Sequence, residues 1–148
     1  MKKTLFCFLM LATALVKAQP TSVKKDSVVQ VMLEEVSAKN IEATVRKLVS
    51  FQTRHTLSDT LSTKTGIGAA RNWIKAEFEK YAKESGGRLQ VSFDTFTQAA
   101  DGRRVTSPTI LKNVLAILPG TDPLDTRVFI VSGHYDSRAS DVLDAPKL

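Results

Sequence analysis

The sequence has 148 residues, 43% of them hydrophobic, with 21 basic and 15 acidic side chains and a formal net charge of +6. This length allows one modest hydrophobic core and is too short for two. Basic and acidic residues are interleaved, as in residues 42–47 and 75–83, which argues against a nucleic-acid partner.

The N-terminus predicts a secretory signal peptide over residues 1–18. Two lysines precede an apolar run over residues 5–16, and small residues lead to a predicted cleavage site between Ala18 and Gln19. The run is too short to span a bilayer comfortably. We therefore expect a secreted or periplasmic protein with no membrane contact once the signal is removed, and an uncleaved anchor is the alternative.

Cleavage would change the chemistry of the mature chain. It removes the only cysteine, Cys7, so no disulfide, thiol nucleophile or thiolate ligand would remain. It also removes three lysines, leaving 18 basic and 15 acidic residues and a net charge of +3. Residues 19–36 are predicted to be a flexible lead-in, because the first of them are polar and the pattern that follows is mixed.

Two amphipathic helices are predicted next. Ser37 is a candidate N-cap for a helix that ends near Phe51, and a second, longer helix begins at residues 66–68 and ends before Gly86. Glycines at 66 and 68 do not predict a phosphate loop, since no strand precedes them and the other motif residues are missing. The apolar stripes are Ala38, Ile41, Val45, Leu48 and Val49 in the first helix and Ile67, Ala70, Ile74, Phe78 and Tyr81 in the second.

A loop separates the two helices over residues 52–65, where threonine and serine are frequent. Arg54 and His55 in this loop could be catalytic, but anchoring of the loop is the interpretation that we favour for both.

Three strands are predicted after the second helix. Residues 89–95 alternate between apolar and polar, and a turn at Asp101 and Gly102 folds this strand back as an antiparallel partner of residues 109–118. Residues 128–131 are four consecutive apolar residues, which favours a strand covered on both faces, as in a parallel part of an α/β sheet.

A polar cluster follows this third predicted strand. Gly133 allows a turn or a close approach, and His134 and Asp136 are spaced to lie on the same face of an extended chain. A neutral imidazole and a carboxylate suit zinc, either as two ligands or as one ligand and the group that orients it. The alternative is an ordinary surface hydrogen bond.

Residues 113–120, Asn-Val-Leu-Ala-Ile-Leu-Pro-Gly, and residues 133–137, Gly-His-Tyr-Asp-Ser, resemble the aminopeptidase S/aminopeptidase Y family of dinuclear-zinc exopeptidases. The resemblance implies an α/β/α sandwich with a mixed central sheet, of which residues 37–148 would be the N-terminal part. It implies that His134 is the first zinc ligand and that Asp136 accepts the other ring N–H of this histidine, which fixes its tautomer. Two zinc ions and peptide substrates with a free N-terminus are implied as well.

The rest of the family's active site is not in this sequence. A bridging aspartate, a Glu-Glu pair, another carboxylate ligand and a last histidine are all missing, so we expect the N-terminal portion of a larger enzyme and no turnover by this fragment. In the complete enzyme, the resemblance implies that the metals polarise the scissile carbonyl and lower the pKa of a bridging water, whose proton a glutamate takes.

Three other interpretations stay open. A glutaminyl-cyclase-like enzyme shares the fold and a His-Tyr-Asp-Ser run, and a carboxypeptidase-like zinc family uses His-x-Asp but usually follows it with valines. From a different class, the chain could be a secreted α/β binding module without catalytic activity.

Overall fold

The computed structural model describes residues 26–137. The predicted signal peptide and its cleavage site at Ala18 and Gln19 lie outside these residues. The chain divides into two compact units, residues 1–37 and 38–148, and each is described by itself. None of the helices in residues 26–137 is long and apolar enough to cross a membrane.

In the first unit, residues 26–37 contain one helix, α1 (Ser27–Glu34). The carboxylate of Asp26 accepts the backbone N–H of Val28 at 2.8 Å, which satisfies one of the free donors at the helix start. The sequence pattern had predicted no element here. The helix lies inside the span predicted as a flexible lead-in, whose boundaries stay a prediction.

The second unit contains α2 (Ala38–Ser50), α3 (Gly66–Glu84), β1 (Gln90–Gln98) and β2 (Thr109–Ile117). Both predicted helices and the first two predicted strands are confirmed, with ends that differ by at most a few residues. The strands are antiparallel, as predicted, and their register places Asp94 opposite Asn113. Asp101 stabilises the turn between β1 and β2, because its carboxylate accepts hydrogen bonds from three backbone N–H groups of that turn at 2.8–2.9 Å.

The start of α3 requires glycine for reasons of space. Gly66 has a φ of +76°, and a Cβ at Gly68 would lie 2.4 Å from the carbonyl oxygen of Thr60. The loop before the helix therefore packs directly onto the helix backbone, so the two glycines serve close packing and backbone conformation.

The hydrophobic core lies between the end of α2 and the first turns of α3. Its buried residues are Phe51, Ala69 and Ala70, and the half-buried residues packed against them are Leu48, Trp73 and Tyr135. The rings of Phe51 and Trp73 have centroids 6.1 Å apart and are tilted by 50°, a favourable aromatic arrangement. The hairpin packs against α3 through both of its strands.

The prediction of a third strand over residues 128–131 is wrong for the described structure. Val128, Phe129, Ile130 and Val131 form no strand and are 80%, 84%, 85% and 99% exposed. A strand needs a neighbour for its backbone hydrogen bonds, and in residues 26–137 the two strands of the hairpin pair only with each other. The apolar run indicated a preference for burial but could not supply the partner.

The described residues thus form a mixed α/β structure with three helices and a two-stranded antiparallel sheet. The predicted sandwich with a mixed central sheet stays a prediction.

Candidate metal site

His134 and Asp136 lie side by side on the surface. The Nδ1 atom of His134 is 3.1 Å from the Oδ1 atom of Asp136, and the imidazole is 95% exposed. Because the carboxylate occupies Nδ1, the other ring nitrogen, Nε2, is left for a different partner. This is the arrangement in which a carboxylate fixes the tautomer and orientation of a metal-binding histidine.

The second carboxylate oxygen of Asp136 faces the loop after α2. The hydroxyl of Thr56 lies 3.4 Å from Oδ2, at the long end for a hydrogen bond between oxygen atoms. Both oxygens of Asp136 therefore have polar neighbours, although 38% of this side chain remains exposed.

Tyr135 lies between these two residues in the sequence and points the other way. Its ring packs against the core, and its hydroxyl donates a hydrogen bond of 2.5 Å to the carbonyl oxygen of Lys112 in β2. Burial raises the pKa of the Tyr135 hydroxyl, with a smaller upward contribution from the charge of Asp136 and an opposing one from Arg71. Alternation along an extended segment thus places one residue in the core and its two neighbours outside.

Arg54 joins this segment to the loop after α2. Its backbone N–H donates to the Ser137 hydroxyl at 2.9 Å, its carbonyl accepts the Ser137 N–H at 3.0 Å, and its Nε donates to the Tyr135 carbonyl at 2.9 Å. A further guanidinium nitrogen donates to the carbonyl of Leu48, near the end of α2. Burial lowers the pKa of Arg54, while the nearby charge of Asp136 opposes that shift.

These contacts confirm the anchoring interpretation for Arg54. His55 has a local anchoring role too, since its Nδ1 accepts the backbone N–H of Leu57 at 3.1 Å. Within residues 26–137, His134 and Asp136 form hydrogen bonds with each other and with Thr56, and the His55 ring takes part in none of these.

A cleft of about 280 Å³ adjoins His134 and Asp136. Arg71 of α3 lines it, is 9% exposed, and donates from Nη2 to the Thr60 carbonyl at 3.0 Å. Neither Arg71 nor Thr56 was predicted from the sequence to be part of this region. The other residues lining the cleft are Ile67, Phe96, Ile110, Leu111, Lys112, Asn113, Gly133 and Tyr135.

The site can supply one well-oriented imidazole. Within residues 26–137, no group of three or more histidine, cysteine, aspartate or glutamate side chains is placed to hold a metal ion. A single imidazole binds a metal ion weakly, because a zinc site ordinarily has three or four protein ligands.

Comparison with known proteins finds relatives that are named after a zinc-dependent activity. A protein of Pyrenophora teres f. teres, named a probable zinc metalloprotease, is 49% identical over 126 residues, covering 82% of this chain and 26% of its own length. The chain is similar to probable zinc metalloproteases. Two others so named, from Leptosphaeria maculans and Pyricularia oryzae, are 48% and 46% identical over 116 and 125 residues.

These alignments cover most of this chain, at 78% and 82% of its length, but only 26% and 24% of the two relatives. The chain therefore spans about a quarter of the length of the curated relatives that it matches. Their names specify zinc and proteolysis and do not specify the aminopeptidase S/aminopeptidase Y family. No family model and no solved structure matches the chain.

Proposed function

We propose that this chain is the N-terminal part of a secreted or periplasmic zinc-dependent exopeptidase of the aminopeptidase type. The observation that carries the proposal is the exposed His134 imidazole, whose Nδ1 lies 3.1 Å from the Asp136 carboxylate. The relatives named probable zinc metalloproteases support zinc-dependent peptide hydrolysis. The exopeptidase type and the free N-terminus of the substrate rest on the sequence resemblance.

The residues present fit part of a zinc site. His134 would bind zinc through Nε2, and Asp136 would hold the N–H on Nδ1 and make the ring a better donor to the metal. The other ligands of the one or two ions would have to come from polypeptide outside residues 26–137, since no three-ligand cluster lies within them. Zinc, when bound, supplies Lewis-acid chemistry that polarises a peptide carbonyl and activates water.

This chain's own residues would orient the His134 imidazole and line part of the cleft beside it. Asp136 keeps the proton of the imidazole on the nitrogen that faces away from the metal. Tyr135 fixes the position of residues 134–136 relative to the core, through the packing of its ring and its hydrogen bond to β2. The cleft beside His134, with Arg71 on its wall, would accommodate part of the peptide substrate.

Zinc binding by His134 is the first test. The chain has two histidines, so His55→Ala is a matched control for His134→Ala. We expect zinc to shift or broaden the 15N resonance of Nε2 in His134, in the wild type and in the His55→Ala variant. Loss of the effect in His55→Ala would contradict the proposal, and so would a zinc-induced change of the His55 ring resonances as large as that of His134.

Activity and substrate form the second test. We expect the purified 148-residue chain to show no chelator-sensitive hydrolysis of aminoacyl amides with added zinc, because most metal ligands are absent from it. A longer protein that continues this sequence should cleave aminoacyl amides and spare their N-acetylated forms. Cyclisation of N-terminal glutamine instead would favour the cyclase interpretation, and no reaction at all would favour a binding module.

Location is the third test. N-terminal sequencing of the protein exported by the producing cell should begin at Gln19, as the predicted cleavage after Ala18 requires. A retained N-terminus in the membrane fraction would identify residues 1–18 as an anchor.

A further inference from the structure

We propose that Arg54 is the positioning residue of this site: it fixes the backbone on both sides of Asp136 and thereby sets the tautomer and direction of His134. The inference rests on the proposed function, because the direction of the ring matters for zinc only if His134 binds zinc. It adds a residue from a distant loop, 83 positions away from Ser137 in the sequence, to a site that the sequence placed entirely within residues 133–137.

Arg54 forms hydrogen bonds with the two peptide groups that flank Asp136. The peptide group before Asp136 carries the Tyr135 carbonyl, which accepts Nε–H of Arg54 at 2.9 Å. The peptide group after Asp136 carries the Ser137 N–H, which donates to the Arg54 carbonyl at 3.0 Å. Because each peptide group is planar, holding both of them fixes the φ and ψ angles of Asp136.

The fixed backbone of Asp136 in turn determines where its carboxylate lies. With φ and ψ fixed, the Cα–Cβ bond of Asp136 has one direction, and its staggered rotamers have defined positions. Oδ1 then lies 3.1 Å from Nδ1 of His134, and Oδ2 lies 3.4 Å from the Thr56 hydroxyl, in the same loop as Arg54. The loop that holds the backbone of Asp136 therefore also contacts its carboxylate.

Arg54 is itself held in place by the end of α2. Its guanidinium also donates to the Leu48 carbonyl, in the last turn of α2, where a cation is favoured by the exposed carbonyl groups. Arg54 thus bridges the end of a helix and the site segment. A lysine has one compact ammonium group and does not reproduce this planar, forked arrangement of donors.

The test uses the full chain without metal at a fixed pH of about 8, where an ordinary histidine is neutral. Two quantities are measured by NMR: the tautomer of His134, from the 15N shifts of its ring, and the hydrogen-exchange rate of the Ser137 amide. The variant is Arg54→Lys, and the matched control is Arg46→Lys, since Arg46 is an exposed arginine in an i,i+4 ion pair with Glu42 on α2.

We expect the wild type and Arg46→Lys to hold the proton on Nδ1. In Arg54→Lys this preference should be lost. The Ser137 amide should exchange about tenfold faster, because the hydrogen bond from the charged guanidinium to the Tyr135 carbonyl no longer holds the neighbouring peptide group. Core amides of α3, such as that of Ala70, should keep wild-type exchange rates. An unchanged tautomer in Arg54→Lys would overturn the inference, and so would equal acceleration of the α3 amides, which would indicate general destabilisation.

A second measurement needs no Arg54 variant and decides the question if Arg54→Lys fails to fold. In wild-type protein at urea concentrations below global unfolding, the Nδ1–H signal of His134 and the protection of the Ser137 amide should be lost together. Survival of the tautomer after Ser137 has lost protection would overturn the inference. Neither measurement involves metal, so failure of zinc to bind His134 would remove the proposed function while leaving the positioning result intact.

Discussion

The hydroxyl of Tyr135 offers the sharpest test of how the site segment is held. Tyr135→Phe removes one hydrogen bond, of 2.5 Å to the Lys112 carbonyl, and leaves the ring against the core. A buried or half-buried hydrogen bond contributes about 0.5–1.5 kcal/mol net, so we expect the free energy of unfolding to fall by about 1 kcal/mol. Tyr135→Ala also removes the packing of a half-buried ring and should cost roughly 2–3 kcal/mol.

The assay is urea unfolding followed by the fluorescence of Trp73, the only tryptophan, which lies in the same core cluster as Tyr135. Tyr81 is the matched control: it is the only other tyrosine, and it is 56% exposed on α3. Tyr81→Phe should change the free energy of unfolding by less than about 0.5 kcal/mol. Equal effects of the two Tyr→Phe substitutions would refute the reasoning that the bond to β2 holds the segment in place.

Three further predictions concern packing, pH and metal. Gly68→Ala should destabilise the protein by about 2–3 kcal/mol, because the new Cβ would lie 2.4 Å from the Thr60 carbonyl oxygen. Gly120→Ala is the control and should be nearly neutral in the same unfolding assay, because a Cβ there would have no atom within 4 Å. Backbone N–H donors hold the pKa of Asp101 below its ordinary value. The carboxylate therefore stabilises the turn fully above the ordinary aspartate pKa, and this stabilisation is lost as pH falls through the lowered value. Amide exchange in that turn should show this acid transition, and Asp101→Asn should abolish it. Chelator should reverse any zinc-induced shift of His134 and leave the unfolding free energy within about 0.5 kcal/mol, since residues 26–137 offer no three-ligand cluster.

Local sequence patterns were sufficient to predict the elements whose signals lie within a short stretch of sequence. The spacing of Ile67, Ala70 and Ile74 predicted α3, and the alternation from Leu89 onward, with the turn at Asp101, predicted the hairpin. The same reasoning failed at residues 128–131, because an apolar run reports a preference for burial and says nothing about which strand will lie beside it. It also missed α1, a helix of eight residues, which is too short to show a repeated three- and four-residue spacing of apolar side chains.

The candidate site was predictable only in part, for a related reason. Spacing alone indicated that His134 and Asp136 would share a face, and the structure places them 3.1 Å apart. The same alternation could have predicted that Tyr135 points inward. The approach of Thr56 and Arg71 could not be predicted, because contacts between residues far apart in the sequence leave no periodic signal within either segment.

The mutual hydrogen bonds between Arg54 and Ser137 also determine when the site can form during folding. They join residues that are 83 positions apart, with α3 and the whole hairpin between them. Such a distant contact becomes favourable only after the intervening chain has become compact. The imidazole and its carboxylate are consequently arranged late, after the helices and strands exist. A partly folded molecule can have all of its secondary structure and still lack an ordered site. The orientation of the His134 ring is therefore a sensitive indicator that folding is complete.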